Sequence, residues 1–482
     1  MIWPVPVKID SPSGRWVLVA TILGSGIAFL DATAVNVSLP RIGRDLGGGL
    51  TDLQWTITAY TLTLSAFLLL GGALGDRFGR RKLFRIGLAW FALASLLCGL
   101  AQSPAMLIAS RALQGVGGAL LTPGSLAIIE ATFDPSERGR AIGTWSGFGG
   151  LFGAIGPLLG GFLAGSVSWR LVFFINPPLA VLAIWIASRH VPESSGGRTD
   201  VRSLDVAGPA LTAVGLGALT YALIEGPAKG WSSTVIMSTL VIGGVGLIAF
   251  FFNEAKAPDP VLPLDIFRNR TFAGANAATF AIYGALGAVT FLVILYLQEV
   301  LKYSPLAAGM SLLPLTLILL TLSAQSGKLV DRIGPRLPMT VGPLLAAGGM
   351  ALFVRLTDGG SYVGAALPAT VLFGLGMVLT VPALTTTALG AVDDARAGIA
   401  SAVNNDVARV ASLASVAVVP TLAGFQGGGG AGFRTAMWIC AGMCATGGVI
   451  SWFTIGVKGR RPAPCHTSCP LTGPPAYEET AT

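Results

Sequence analysis

The chain has 482 residues, 53% of them hydrophobic and 11% charged, with a mean hydropathy of +0.72 and a net charge of +8. A water-soluble chain carries about 25% charged residues, so this composition excludes a soluble globular enzyme. The basic residues sit in short clusters between apolar runs instead of forming one patch, which excludes a nucleic-acid-binding surface.

Apolar runs separated by charged or Gly/Pro-rich breaks predict fourteen membrane-spanning helices, an all-α membrane protein. They lie at 16–38, 52–74, 83–101, 104–130, 140–166, 169–188, 205–225, 232–252, 271–298, 305–330, 337–356, 360–388, 397–424 and 432–456. A span of the ~30 Å hydrocarbon core takes roughly 20 residues. Lys8 and Arg15 ahead of the first run, with Ala32-Thr33-Ala34 near its end, imitate a cleaved signal. That run is full length, so an uncleaved first span is expected. With the N-terminus inside, 22 of the 31 Lys and Arg residues fall on the inner side, 7 on the outer side, and Arg111 and Arg409 within spans. This bias predicts a multi-pass protein of the cytoplasmic membrane with both termini cytoplasmic.

The second span ends in Gly72-Ala-Leu-Gly-Asp76-Arg77-Phe-Gly79-Arg80, and the tenth in a weaker copy, Gly327-Lys-Leu-Val-Asp331-Arg332-Ile-Gly334-Pro-Arg336. The repeat divides the chain into a cytoplasmic N-terminus (1–15), a six-helix bundle (16–188), an inserted helix pair (189–270), a second six-helix bundle (271–456) and a disordered tail (457–482). Paired halves around a midplane site are a recurrent transporter plan. Asp76, closing a turn among Arg77, Arg80 and Arg81, reads as a conformational gate, with Asp331 and Arg332 its counterpart. Glu130, near the inner end of the fourth span, is within reach of that basic cluster as a further gate element.

Charges inside a span are costly and mark function by default. Asp31 and Arg111 each lie seven residues from the outer end of their spans, ~10 Å deep at 1.5 Å per residue, so a bundle can bring them together. Arginine does not deprotonate; Asp31 is therefore the proton carrier and Arg111 its partner, against the plainer reading of a static ion pair. Asp406 and Arg409, three apart with Asn404 and Asn405 beside them, either pair with each other or face the substrate cavity. Glu225, before Gly226-Pro227, reads as a loop-edge carboxylate. Trp55, Tyr60, Trp145, Phe148 and Phe152 are candidates for an aromatic cavity wall, or for plain packing. The fifth span holds Gly147, Gly149, Gly150, Gly153, Gly156, Pro157, Gly160 and Gly161, a close-packing hinge. No lysine of a phosphate cradle follows it, and the chain carries no catalytic triad. Cys465 and Cys469 flank His466 without a second ligand pair, so neither a metal site nor a cofactor is expected.

These motifs resemble the fourteen-helix drug/proton antiporters of the major facilitator superfamily, over about residues 15–456. Leu30-Asp31-Ala-Thr33 through Pro40 resembles their first-helix motif, with Ser38 where alanine is usual. Gly72 to Arg81 matches the superfamily loop motif, Leu107 to Gly117 its fourth-helix motif, and Gly156-Pro157-x-x-Gly160-Gly161 its antiporter motif. Trp169 to Pro178 is similar to the sixth-helix entry. The resemblance implies the two-bundle fold, proton coupling through Asp31 and Arg111, and alternating-access export of small, largely apolar or cationic molecules by a functional monomer. A proton-coupled importer and a non-transporting membrane sensor are the rivals; the antiporter motif opposes the first, the buried charges the second.

Overall fold

The structure, a computed structural model, describes residues 7–134, 136–195, 205, 207–257, 260, 262–358, 361–393, 396–425 and 429–456. The tail with Cys465, His466 and Cys469 lies outside the described residues, as does the side chain of Asp331. The helices are α1 Pro12–Leu46, α2 Leu50–Phe78, α3 Arg80–Gly99, α4 Pro104–Thr132, α5 Arg138–Ser166, α6 Arg170–Phe174, α7 Asn176–His190 and α8 Ala207–Lys229. They continue as α9 Thr234–Lys256, α10 Arg270–Glu299, α11 Pro305–Ser311, α12 Leu313–Ile333, α13 Arg336–Leu352, α14 Leu367–Gly390, α15 Ala397–Leu422 and α16 Gly430–Thr454. Among the described residues there is no strand, only an isolated bridge between Val7 and Phe133.

Thirteen helical segments among the described residues are long and apolar enough to cross a membrane, with α6–α7 and α11–α12 each making one. α15 has the length, 26 residues; Asn404, Asn405, Asp406 and Arg409 cost it the apolarity. Asn404, Asp406 and Arg409 are half-buried and Asn405 exposed, a polar face suited to a protein interior and not to lipid. Helix starts follow local chemistry: Ser11, Ser103 and Ser304 each precede a proline and accept a backbone N–H from three residues ahead, satisfying donors that a first turn leaves orphaned. Two spans depart from the expected single helix. Pro177 and Pro178 break one at Ile175, and Pro314 breaks the other at Leu312, because proline cannot supply the N–H that would continue the helix.

One group of helices packs α2 and α3 on α4, and α1 on α5 and α7; a second packs α10 on α15 and α16, and α13 on α14 and α16. α8 and α9 pack on each other, with α8 also against α2 and α15. The two groups meet tightly at one end. There a Cβ on Gly161 of α5 would sit 2.6 Å from the carbonyl oxygen of Pro305, and one on Gly309 of α11 2.4 Å from that of Pro157. Only glycine admits such backbone contact. Gln54 Nε2 donates to the Val416 carbonyl and Gln298 Nε2 to the Val37 carbonyl, both at 2.8 Å. At the opposite end Gly139, Gly143 and Gly147 of α5 and Gly327 of α12 face open space. The bundle is thus sealed at one end and parted at the other.

Candidate functional site

Asp31 is fully buried on α1, two turns below the seal, and every partner comes from another helix. Arg111 Nη1 of α4 donates to its Oδ2 at 2.5 Å, while Gln114 Nε2 and Asn176 Nδ2 each donate to Oδ1 at 2.9 Å. Gln114 and Asn176 also reach Ser95 Oγ on α3, at 2.8 and 3.2 Å. Arg111, 1% exposed, donates through Nε to the Thr56 carbonyl at 3.2 Å and lies 4.3 Å from the Tyr60 ring centre and 5.8 Å from that of Phe173. A charge buried in the bilayer interior survives only with this degree of compensation. Gly156 and Gly160 let α5 lie against this turn of α1: a Cβ on Gly156 would meet Thr33 Oγ1 at 1.8 Å, and one on Gly160 the Ala34 carbonyl oxygen at 2.5 Å.

The cage contains three polar residues that depth counting leaves out. Gln114 is one turn on from Arg111 in the fourth-helix motif, Asn176 stands at the proline break that starts α7, and Ser95 lies on α3. Asn176 is where it is because Pro177 and Pro178 end the preceding turn and make it the first residue of a new helix.

The aromatic candidates separate. Tyr60 is buried under Arg111 and edge-on to Phe91, part of the cage instead of a cavity wall. Trp55 turns outward to α8, where its Nε1 donates to Glu225 Oε1 at 3.0 Å. Glu225 is accordingly no loop-edge group: α8 runs on to Lys229, whose Nζ lies 3.2 Å from Glu225. Trp145 donates to Ser25 Oγ at 3.1 Å, and Phe148 is exposed on α5.

In the second group, Asn404 donates to Asn276 and Thr279 and ties α15 to α10, while exposed Asn405 turns back to the Ser401 carbonyl. No ion pair within 4.0 Å joins Asp406 to Arg409 among the described residues, although Arg409 lies close enough on the same helix to act on its charge. Asp406 also borders a cavity of about 590 Å³.

At the parted end, Arg80 binds Asp76 Oδ1 at 2.8 Å and the Ala127 carbonyl at 3.1 Å. The chain turns at Gly79, whose φ of +106° suits glycine, and Arg81 then holds Glu193 and the Val191 carbonyl. Glu130 makes no hydrogen bond or ion pair with this cluster among the described residues; Asp76 takes the contact foreseen for it. Arg77 is exposed and stacks 5.3 Å from the Phe78 ring centre.

Many apolar helices around one caged internal ion pair, with a seal at one end only, define a multi-pass membrane transporter. The chain belongs to the Major Facilitator Superfamily, whose sequence profile matches residues 21–415. It is 40% identical over 418 residues to the puromycin resistance protein pur8 of Streptomyces alboniger, covering 85% of this chain and 82% of that one. It is 35% identical to the multidrug resistance protein Stp of Mycobacterium tuberculosis (83% and 74% covered) and 34% identical to the tetracenomycin C resistance and export protein of Streptomyces glaucescens (84% and 75%). Among solved structures, a POT family transporter with a thioalcohol-conjugated peptide superposes with a TM-score of 0.71 at 14% identity, covering 92% of this chain and 97% of that one. A bacterial homologue of the human lysosomal transporter Spinster, inward-facing and unoccupied, gives 0.64 at 18%, covering 92% and 97%. These likenesses show the fold.

Proposed function

We propose that the protein exports small, largely apolar or cationic organic molecules in exchange for protons, by alternating access. The observation that carries this reading is the caged Asp31–Arg111 pair, the one fully buried ion pair among the described residues. The printed functions of its relatives, resistance to puromycin, multidrug resistance, and tetracenomycin C resistance and export, favour export as the direction.

Lysine and arginine placement supports an inner position for the parted end, which carries Arg77, Arg80, Arg81 and Arg85, and an outer one for the seal. The conformation then faces inward with Asp31 paired to Arg111. The two halves, 16–188 and 271–456, rock about the central space, and the protein works as a monomer. When the seal opens, a proton from outside neutralises Asp31. Arg111 then loses its counter-ion and keeps Gln114, the Thr56 carbonyl and the Tyr60 and Phe173 faces, so the cage loosens without abandoning the guanidinium. Return to the inner side releases the proton and rebuilds the cage. Asp31 changes charge, Arg111 sets the cost of that change, and Gln114 and Asn176 hold the carboxylate in place. Asp76, Arg80 and Gly79, with Asp331 and Arg332, hold the inner gate, while Gly156, Pro157, Gly160 and Gly161 form the sliding surface of the seal. One charge crossing ~100 mV supplies about 2.3 kcal/mol, roughly a 50-fold gradient of a neutral substrate. The test is puromycin-induced proton release from purified protein in liposomes. Proton flux that puromycin and a panel of cationic and neutral drugs all leave unchanged would overturn the proposal.

A further inference from the structure

The cavity beside Asp406 lies between mid-depth and the parted end. α2 and α15 wall it on one side, α8 and α9 on the other, and residues 262–267 line its end. Its surface is apolar, built from side chains such as Leu69, Leu216, Phe250 and Phe280. Two atoms break that pattern. Asp406 and Ser65 lie close to each other, and neither Asp406 Oδ1 nor Ser65 Oγ, both buried, makes a well-formed hydrogen bond among the described residues. Burying an acceptor in apolar surroundings without a partner is costly, and Arg409 on the same helix forms no ion pair with it within 4.0 Å. The cage around Asp31 makes the contrast plain, since that carboxylate has three donors.

The cavity is also built and held. Glu254 of α9 is buried and accepts the backbone N–H of Leu262 at 2.8 Å, which fixes the lining segment to the inserted helices. Asp265 in that segment pairs with Arg396 at the start of α15. α9 itself is the least buried of the spanning helices, with 17% of its apolar stretch inside the protein, and Val241, Val245, Ile248 and Phe252 project from it exposed. The inserted pair is therefore a thin partition whose one face covers the cavity. A volume of about 590 Å³ falls within the ~300–1,000 Å³ that holds a drug-sized ligand.

We propose that the inserted helix pair completes a lateral ligand site, and that its ligand is an organic monocation with an apolar body, the ammonium seated on Asp406 Oδ1 and Ser65 Oγ. The site goes beyond the export reading and needs no proton coupling to bind.

The test uses a matched pair of fluorescent probes, N-dansylcadaverine and N-dansylpentylamide, which share fluorophore and chain and differ by one terminal ammonium. Equilibrium binding to the full chain in nanodiscs is read by dansyl emission at pH 7.5, where an alkylamine is protonated. The cationic probe binds about tenfold tighter than the neutral one, a difference of about 1.4 kcal/mol. Asp406→Asn brings the two affinities together, and Asp406→Glu restores the preference. Leu216→Trp, which fills the cavity from α8, weakens both probes at least tenfold. A tenfold preference that survives Asp406→Asn, or wild-type binding in Leu216→Trp, overturns the site. Because no pH gradient is imposed, failure here leaves the export proposal standing, and loss of proton-driven export leaves this site standing.

Discussion

Asp31 and Asp406 are the same side chain, each inside a spanning helix of its own half, and their surroundings are opposite. Asp31 accepts from Arg111, Gln114 and Asn176; Asp406 keeps an oxygen with no partner, at the edge of an apolar cavity. A carboxylate whose lone pairs are filled by the protein holds its charge and position, and can change only if the protein changes with it. A carboxylate left wanting is available to something that arrives. Burial alone therefore does not say what an intramembrane acid does; the count of donors around it does.

Carboxylate-to-amide substitutions test this contrast, because an amide keeps size and hydrogen bonding and removes the charge. The largest effect belongs to Asp31→Asn. Uphill export driven by an imposed pH gradient falls to facilitated equilibration, and the concentration ratio of a neutral substrate drops to unity. Retained uphill export would break the comparison at its stronger member. Next comes Asp406→Asn, for which uptake into inside-out vesicles loses cationic substrates about tenfold and spares neutral ones. Its folded yield, measured by size exclusion, stays at wild type, since no ion pair to Arg409 is lost. A uniform fall in yield, rescued by also neutralising Arg409, would make Asp406 a structural partner after all.

Smaller effects are expected where the acid is half exposed. Asp76→Asn slows turnover several-fold with substrate affinity unchanged, because Arg80 keeps the Ala127 carbonyl and loses its carboxylate. A loss wholly in affinity would remove Asp76 from the gate. Asp265→Asn has the least effect. The hydrogen bond from Arg396 holds the Asp265 carboxyl below the usual carboxylate range, so the pair contributes stability above the unfolded value of ~3.9. That contribution is lost only as pH falls through the lower folded value. Thermal scans of wild type and Asp265→Asn should therefore differ slightly and equally from pH 5 to 8. A difference that changes between those limits would count against the assignment.

Much of this was legible in the sequence. The charge-free runs and their breaks give the spans to within a few residues for most helices, and depth counted along α1 and α4 brings Asp31 level with Arg111. What one sequence lacks is rotation about each helix axis. Trp55 and Tyr60 are five apart on α2, yet one turns to Glu225 on α8 and the other lies under Arg111. Asn176 is 145 residues from Asp31; its role depends on a proline break that reads as a loop signal until the new helix start is seen. The lateral cavity needs five helices and a connecting segment to assemble, so no stretch of chain announces it. Glu225 departs from the loop-edge expectation because Gly226-Pro227 reads as a stop, whereas the helix carries a proline near its end without stopping.

The seal combines apolar packing across the halves with glycine–backbone contacts and two glutamine amides bonded to carbonyls of the opposite half. Among the described residues one ion pair joins the halves there, Arg44 with Glu299, 3.8 Å long and partly exposed. Neither amides nor carbonyls titrate, and neither is screened by ions as a surface charge pair is. A door built this way is indifferent to the acidity and salinity of the medium it faces. On the proposed coupling, the carboxylate behind it answers to the proton and the latch does not, so acid would change the driving force without loosening the closure.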